Sequence, residues 1–163
     1  MKKYRAFFIM LLCNIILGIA MPEIGIASFE IAKSNLTEML SVLPPIFILL
    51  GLLDVWVDKE TMMRYMGKGS GLKGIGIAFT LGAVAAGPLY AAFPVATVMM
   101  KKGASLFNVF IFIGAWSTAK IPLLSFEMAS LGMQFTLTRL FMNVFGIIGI
   151  AYVTYRAVKG EEI

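Results

Sequence analysis

One lysine stands where lysines are costly. Lys120 lies in Trp116-Ser117-Thr118-Ala119-Lys120-Ile121-Pro122, inside an apolar run from Gly103 to Phe126 that is otherwise free of charge. A charge well inside a membrane span costs about 2.5–3.5 kcal/mol on insertion scales. Such a group faces a cavity, pairs with a partner, or snorkels to the interface. Glu127, seven residues on, lies on nearly the same helical face and is a candidate partner. The other chemistry-bearing stretch is Gly82-Ala83-Val84-Ala85-Ala86-Gly87-Pro88-Leu89-Tyr90-Ala91-Ala92-Phe93-Pro94. Small residues let membrane helices approach closely, and that alone could account for them. The pair Gly87-Pro88 adds a helix break. A break frees backbone N–H and C=O groups, which membrane depth tolerates only where protein buries them or they line a polar cavity. Transporters hold substrate at such breaks.

The same inventory excludes much chemistry. There is no histidine, and Cys13 is the only cysteine. No imidazole base, His-ligated metal or intrachain disulfide is expected. No serine stands in a Gly-x-Ser-x-Gly elbow. Gly69, Gly71 and Gly74 satisfy GxGxxG, but the fingerprint needs a preceding strand and a soluble βαβ unit. Here it reads as a flexible turn. Neither a cofactor nor a metal site is expected, and the chain is not read as an enzyme.

The elements that must position these residues are membrane helices. The chain has 163 residues, 60% apolar and 14% charged. A soluble domain averages about 25% charged residues, and a small one cannot hide this much apolar surface. Charge-free runs place spans at 6–26, 40–57, 104–126 and 137–155, each near the roughly 20 residues a span needs. The first run has a basic start and only a weak small-x-small site at Gly18 and Ala20, and it is read as an uncleaved helix rather than a signal peptide. Pro44-Pro45 falls near the start of the second span, where proline costs least.

The run over 74–100 is long for one helix and holds the Gly-Pro break. It is either a re-entrant hairpin of two half-helices or a kinked span. With a hairpin and the N-terminus inside, 11 lysines and arginines face the cytoplasm and 2, Lys33 and Arg139, face out; with a span the division is 8 to 5. The positive-inside rule favours the hairpin. The expected fold is thus all-α and membrane-integral, in one domain. It has four transmembrane helices plus one broken, re-entrant pair and both termini cytoplasmic. Five spans is the alternative. The net charge of +5 follows from that bias and from attraction to anionic membrane lipid, not from nucleic-acid binding.

Three stretches together resemble the repeat unit of the ArsP-like predicted permeases, multi-span bacterial proteins that include organoarsenical efflux permeases. They are Gly87-Pro88-Leu89-Tyr90 to Pro94, the turn Met99-Met100-Lys101-Lys102-Gly103-Ala104-Ser105, and the apolar helix ending Ile121-Pro122-Leu123. The resemblance covers roughly 43–152. It implies a permease of the bacterial inner membrane whose path is lined by Gly87, Pro88, Tyr90, Pro94, Ser117, Thr118 and Lys120. Many members carry cysteines just before the break; Ala85 and Ala86 stand there, so that place offers no thiol to trivalent arsenic. Members are commonly twice this length with two related halves. The expectation is therefore a half-size permease that moves a small solute as a homodimer, or with a paired half-size subunit. Lys120 would favour an anionic or electron-rich solute. A non-transporting membrane scaffold or accessory subunit is the alternative.

Overall fold

The computed structural model describes residues 5–85 and 87–161, and every element among them is helical. The chain divides into two compact units, Met1–Pro45 and Ile46–Ile163.

The first unit holds α1 (Arg5–Ala20) and the first part of α2 (Pro22–Trp56). Ser28 Oγ donates to Asn14 Oδ1 at 2.8 Å. Along one straight helix these residues would stand about 21 Å apart, so the chain turns back at Met21. Pro22 brings no N–H to continue α1 and opens α2 at its first position, where that loss is free. Gly18 and Gly25 meet backbone to backbone, and a Cβ on Gly25 would overlap Gly18. The segment 6–26, expected as one span, is therefore interrupted at Met21. Helix α2 runs on through 27–39, expected as a connection, and carries Pro44 and Pro45 inside it rather than near its start. Each of those prolines removes a backbone hydrogen bond. The boundary between the units falls at Pro45.

The second unit contains the end of α2, then α3 (Lys59–Met66), α4 (Gly71–Val84), a 3₁₀ turn (Leu89–Ala91), α5 (Ala92–Lys101), α6 (Leu106–Thr118), α7 (Ile121–Leu131) and α8 (Met133–Glu161). Its core is the α4–α6 pair, and the two helices run parallel. At their N-terminal ends, Asn108 Nδ2 donates to Ser70 Oγ at 2.9 Å and to the Met66 carbonyl at 3.0 Å. Towards their C-terminal ends, Gly82 lies against Phe112, Ala115 and Trp116 so closely that no Cβ fits. Ala78, Ala83 and Ala115 are buried in the same unit. Small side chains let the two backbones approach.

Helix α5 returns to the end from which α4 departs. Gly103, just past α5, packs on Met63 of α3, and Ser105 N–H donates to the Met66 carbonyl at 2.7 Å. The chain thus breaks after Val84, reverses between α4 and α5 and comes back beside its own starting point. Pro94 lies in the first turn of α5, where a missing N–H is harmless. Ser105 then caps α6 by accepting from the Asn108 N–H. Helix α8 runs antiparallel to α6: Phe107 stacks edge-on with Tyr155 at 6.1 Å, and Gly114 faces Ile147.

Lys102 has a structural task that its place in a basic turn does not announce. Its Nζ donates to the carbonyls of Asp54 and Val57 at 2.8 and 2.7 Å and pairs with the Asp54 carboxylate at 3.0 Å. It thereby caps the C-terminus of α2 with a cation. Asp58 caps the next helix. Its carboxylate accepts the Thr61 N–H, and the hydrogen bonding to Thr61 holds its pKa below the usual carboxylate range. The ends of α2, α5 and α8 and the starts of α3, α4 and α6 therefore share one end of the unit. That end carries Lys59, Arg64, Lys68, Lys73, Lys101, Lys102 and Arg156.

Among the described residues, three helical stretches are long and apolar enough to cross a membrane: Pro22–Trp56, Leu106–Leu131 and Met133–Val158. The α4–α6 contact makes a paired prediction. Gly82→Ala inserts a methyl against α6 and lowers the thermal unfolding midpoint in detergent, by about 1–3 kcal/mol of stability. Gly76→Ala meets nothing within 4 Å and leaves the midpoint unchanged or higher, with about 0.5–1 kcal/mol gained.

Candidate functional site

Two helix breaks meet at the end of the second unit opposite the basic cluster. The first is the reversal between α4 and α5. Gly87 holds it open with φ of +103°, a conformation that side-chain-bearing residues rarely adopt. Pro88 follows in extended conformation and opens the 3₁₀ turn. The Gly87 carbonyl has left both helices and needs a partner. It receives two. Trp116 Nε1 donates to it at 3.2 Å, and Lys120 Nζ donates at 2.5 Å. Trp116 is itself buried and locked edge-to-face on Phe112 at 5.4 Å.

The second break lies between α6 and α7. Lys120 is extended, with φ −61° and ψ 135°, and α7 starts at Ile121 with Pro122 in its first turn. In an unbroken helix the Thr118 carbonyl would accept the N–H of residue 122, which proline lacks. Arg139 of α8 takes that place, its Nη2 donating to the Thr118 carbonyl at 3.2 Å. The same guanidinium holds the buried Glu127 carboxylate through Nε at 2.6 Å. One arginine thus closes a backbone gap and neutralises a buried acid. On the same face of α8, one turn further along, Asn143 has a buried Nδ2 without a hydrogen-bond partner. A buried donor left unpaired costs free energy unless something else supplies an acceptor.

The residues singled out by sequence do not all converge. Gly87 and Lys120 are hydrogen-bonded to each other, with Pro88 beside them. Tyr90 lies in the 3₁₀ turn and is partly exposed. Pro94 lies in the first turn of α5. Thr118 bonds back to the Gly114 carbonyl, a local use of its hydroxyl, while its own carbonyl is held by Arg139. Ser117 is exposed on the far side of α6. Glu127, considered as a partner for Lys120, pairs with Arg139 instead, because the lysine is committed to the Gly87 carbonyl. Sequence alone did not single out Trp116, Arg139 or Asn143 for this site: Arg139 reads there as an exterior charge, and Asn143 as an interhelical hydrogen-bonding residue, whereas its Nδ2 has no partner. The available signal was the missing N–H of Pro122, which demands a donor for Thr118 from another helix. Cys13 lies in α1, outside this unit, and no group of three or more metal-ligating side chains occurs among the described residues.

Removing half of the buried pair is the sharpest stability test of this arrangement. Arg139→Met leaves Glu127 without its counter-charge and Thr118 without its donor. It should cost about 3–5 kcal/mol, read as a lowered unfolding midpoint in detergent. Adding Glu127→Leu to that variant should restore a large part of the loss, since the uncompensated acid is then gone.

The model of a family described as predicted permease, ArsP_1, matches residues 26–163. No curated protein and no solved structure matches the chain. The match spans the end of the first unit and the whole of the second, including both helix breaks, the turn Lys101–Ser105 and the Glu127–Arg139 pair. With its long apolar helices, the chain is a multi-pass membrane protein, and it belongs to the ArsP-like predicted permease family.

Proposed function

We propose that the chain is a half-size solute permease of the bacterial inner membrane, working as a homodimer. The observation that carries this reading is the meeting of two broken helices through Lys120 and the Gly87 carbonyl. Irregular backbone at membrane depth is tolerated where it lines a path, and transporters build their binding sites from half-helix ends. Helix α4 has 14 residues, about 21 Å of rise, and the hydrocarbon core is about 30 Å thick. The α4–α5 pair therefore enters and leaves on the basic side, which is cytoplasmic by the positive-inside rule. Its tip, Gly87-Pro88, lies within the membrane. The long apolar stretches Pro22–Trp56, Leu106–Leu131 and Met133–Val158 supply the crossing segments.

Lys120, Gly87, Pro88 and Thr118 line the path in this account, with Tyr90, Pro94 and Ser117 at its margin. An ammonium held only by a carbonyl can exchange that partner for an anionic oxygen, which binds it more strongly. Asn143, one turn from Arg139 on α8, adds a buried amide donor without a partner in the same unit. Small organic anions are the substrates this set of donors favours. One copy supplies one wall of such a path; a second copy closes it, with parallel orientation if both ends are cytoplasmic.

Flux in proteoliposomes tests the proposal, with an aryl arsonate as anionic probe and the corresponding trivalent arsenical as the thiol-seeking control. The wild-type protein should move the arsonate and discriminate against the trivalent form. Lys120→Ala and Pro88→Ala should each lower arsonate flux by about tenfold or more while the protein stays folded, on the scale of one lost charge-assisted hydrogen bond. Unchanged flux in both folded variants would remove this path and leave the membrane scaffold as the reading.

A further inference from the structure

A cavity of about 1000 Å³ opens at the basic end of the second unit, remote from the two helix breaks. Its walls come from α3, the Gly67–Gly71 loop, the α5–α6 turn and the last turns of α8. We propose that it binds a phosphate-bearing anion. The GxGxxG-like loop, which has no strand before it and so is no dinucleotide fingerprint, forms one side of this cavity.

Charge and donor chemistry carry the assignment. Lys59 and Lys68 line the cavity, and no aspartate or glutamate does. Among the described residues neither lysine has an ion-pair partner. Ser70 Oγ accepts from Asn108 Nδ2, and Ser105 Oγ accepts from the Asn108 N–H. Both hydroxyl protons therefore remain for a ligand. The Tyr152 hydroxyl, which lines the cavity, accepts from Arg156 Nη2 at 3.0 Å and keeps its phenolic proton to donate. Gly69 and Gly71 have φ of +93° and +56°, and the space where their Cβ atoms would stand is open. A loop of this kind lets a ligand approach the backbone closely.

The other wall of the cavity is apolar. Met63, Met100 and Phe107 face it. A polar wall of cations and hydroxyls opposite an apolar wall suits a phosphate attached to a hydrophobic body. The headgroup region of an anionic phospholipid in the cytoplasmic leaflet has that chemistry, and so does a soluble phosphate ester. Attraction between basic residues and anionic lipid is general at such an interface. The cavity makes it local, and local binding should depend on which lysine is removed.

The full-length protein in neutral detergent tests this, with bound lipid counted by native mass spectrometry and unfolding followed by tryptophan fluorescence. Phosphatidylglycerol should bind and raise the unfolding midpoint, and phosphatidylcholine of the same chains should not. In Lys59→Gln/Lys68→Gln, phosphatidylglycerol affinity should fall about tenfold or more, from two lost cation contacts. Lys101→Gln, which removes an exposed lysine of the same end outside the cavity, should bind as the wild type does. If inorganic phosphate or glycerol 3-phosphate gives the same lysine-dependent shift and competes with the lipid, the ligand is the soluble phosphate and the site stands. No shift with any of these probes would overturn the proposal. Equal losses in Lys101→Gln and the double variant would do so as well, since the attraction would then be diffuse.

Discussion

A backbone carbonyl that has left its helix must find a donor, and in this protein that single requirement organises the end of the fold where two breaks meet. Gly87 presents such a carbonyl at the tip of the α4–α5 reversal. Trp116 and Lys120, four residues apart on and just beyond α6, both supply it. Trp116 reaches it from the last turns of α6 and Lys120 from the extended residue that follows. The position of the tip therefore fixes where α6 ends and where its lysine points. The second break repeats the logic with a different donor. Pro122 deprives the Thr118 carbonyl of its helical partner, and Arg139 reaches across from α8 to provide one. Both breaks are thus closed by cations on other segments, and both cations stand away from the basic end. Each is tied to a specific oxygen of the chain.

This arrangement depends on close approach between helices. Gly82 leaves no space for a side chain, and Gly114 gives way to Ile147 on the other side of α6. Helix α6 is therefore clasped between α4 and α8. The turn that feeds it is held as firmly: Ser105 caps its first turn, Asn108 ties it to Ser70 and Met66, and Lys102 anchors the turn to the last carbonyls of α2. The Lys101–Ser105 stretch, which carries much of the family resemblance, is in this light a joint between three helices.

Much of this was legible in the sequence. The Gly87-Pro88 pair announces a break, and the distribution of lysine and arginine anticipates that 59–73, 101–102 and 156 gather at one end. Long uncharged runs give the apolar helices. The limits were also physical. Uncharged runs do not mark helix ends, because a helix can carry charges along its length; α2 passes through Glu23, Glu30, Lys33 and Glu38 without stopping. Two consecutive prolines did not end it either. Pairing was less legible still. Arg139 reads as an exterior charge, and Glu127 lies at a helical spacing from Lys120. Only the three-dimensional placement of α8 against α6 and α7 makes Arg139 the nearer partner, and only the orphaned Thr118 carbonyl explains why an arginine with several donors stands there.

Everything here turns on the chain's reversal between α4 and α5, which returns it to the side it left. Single cysteines at Lys68 and at Lys101, in a Cys13→Ser background, test it through labelling of intact and opened cells by a membrane-impermeant maleimide. The reversal predicts that both positions react only once the cytoplasm is opened. A position 101 that labels in intact cells while position 68 does not would show that 74–100 crosses the membrane, and would contradict the account.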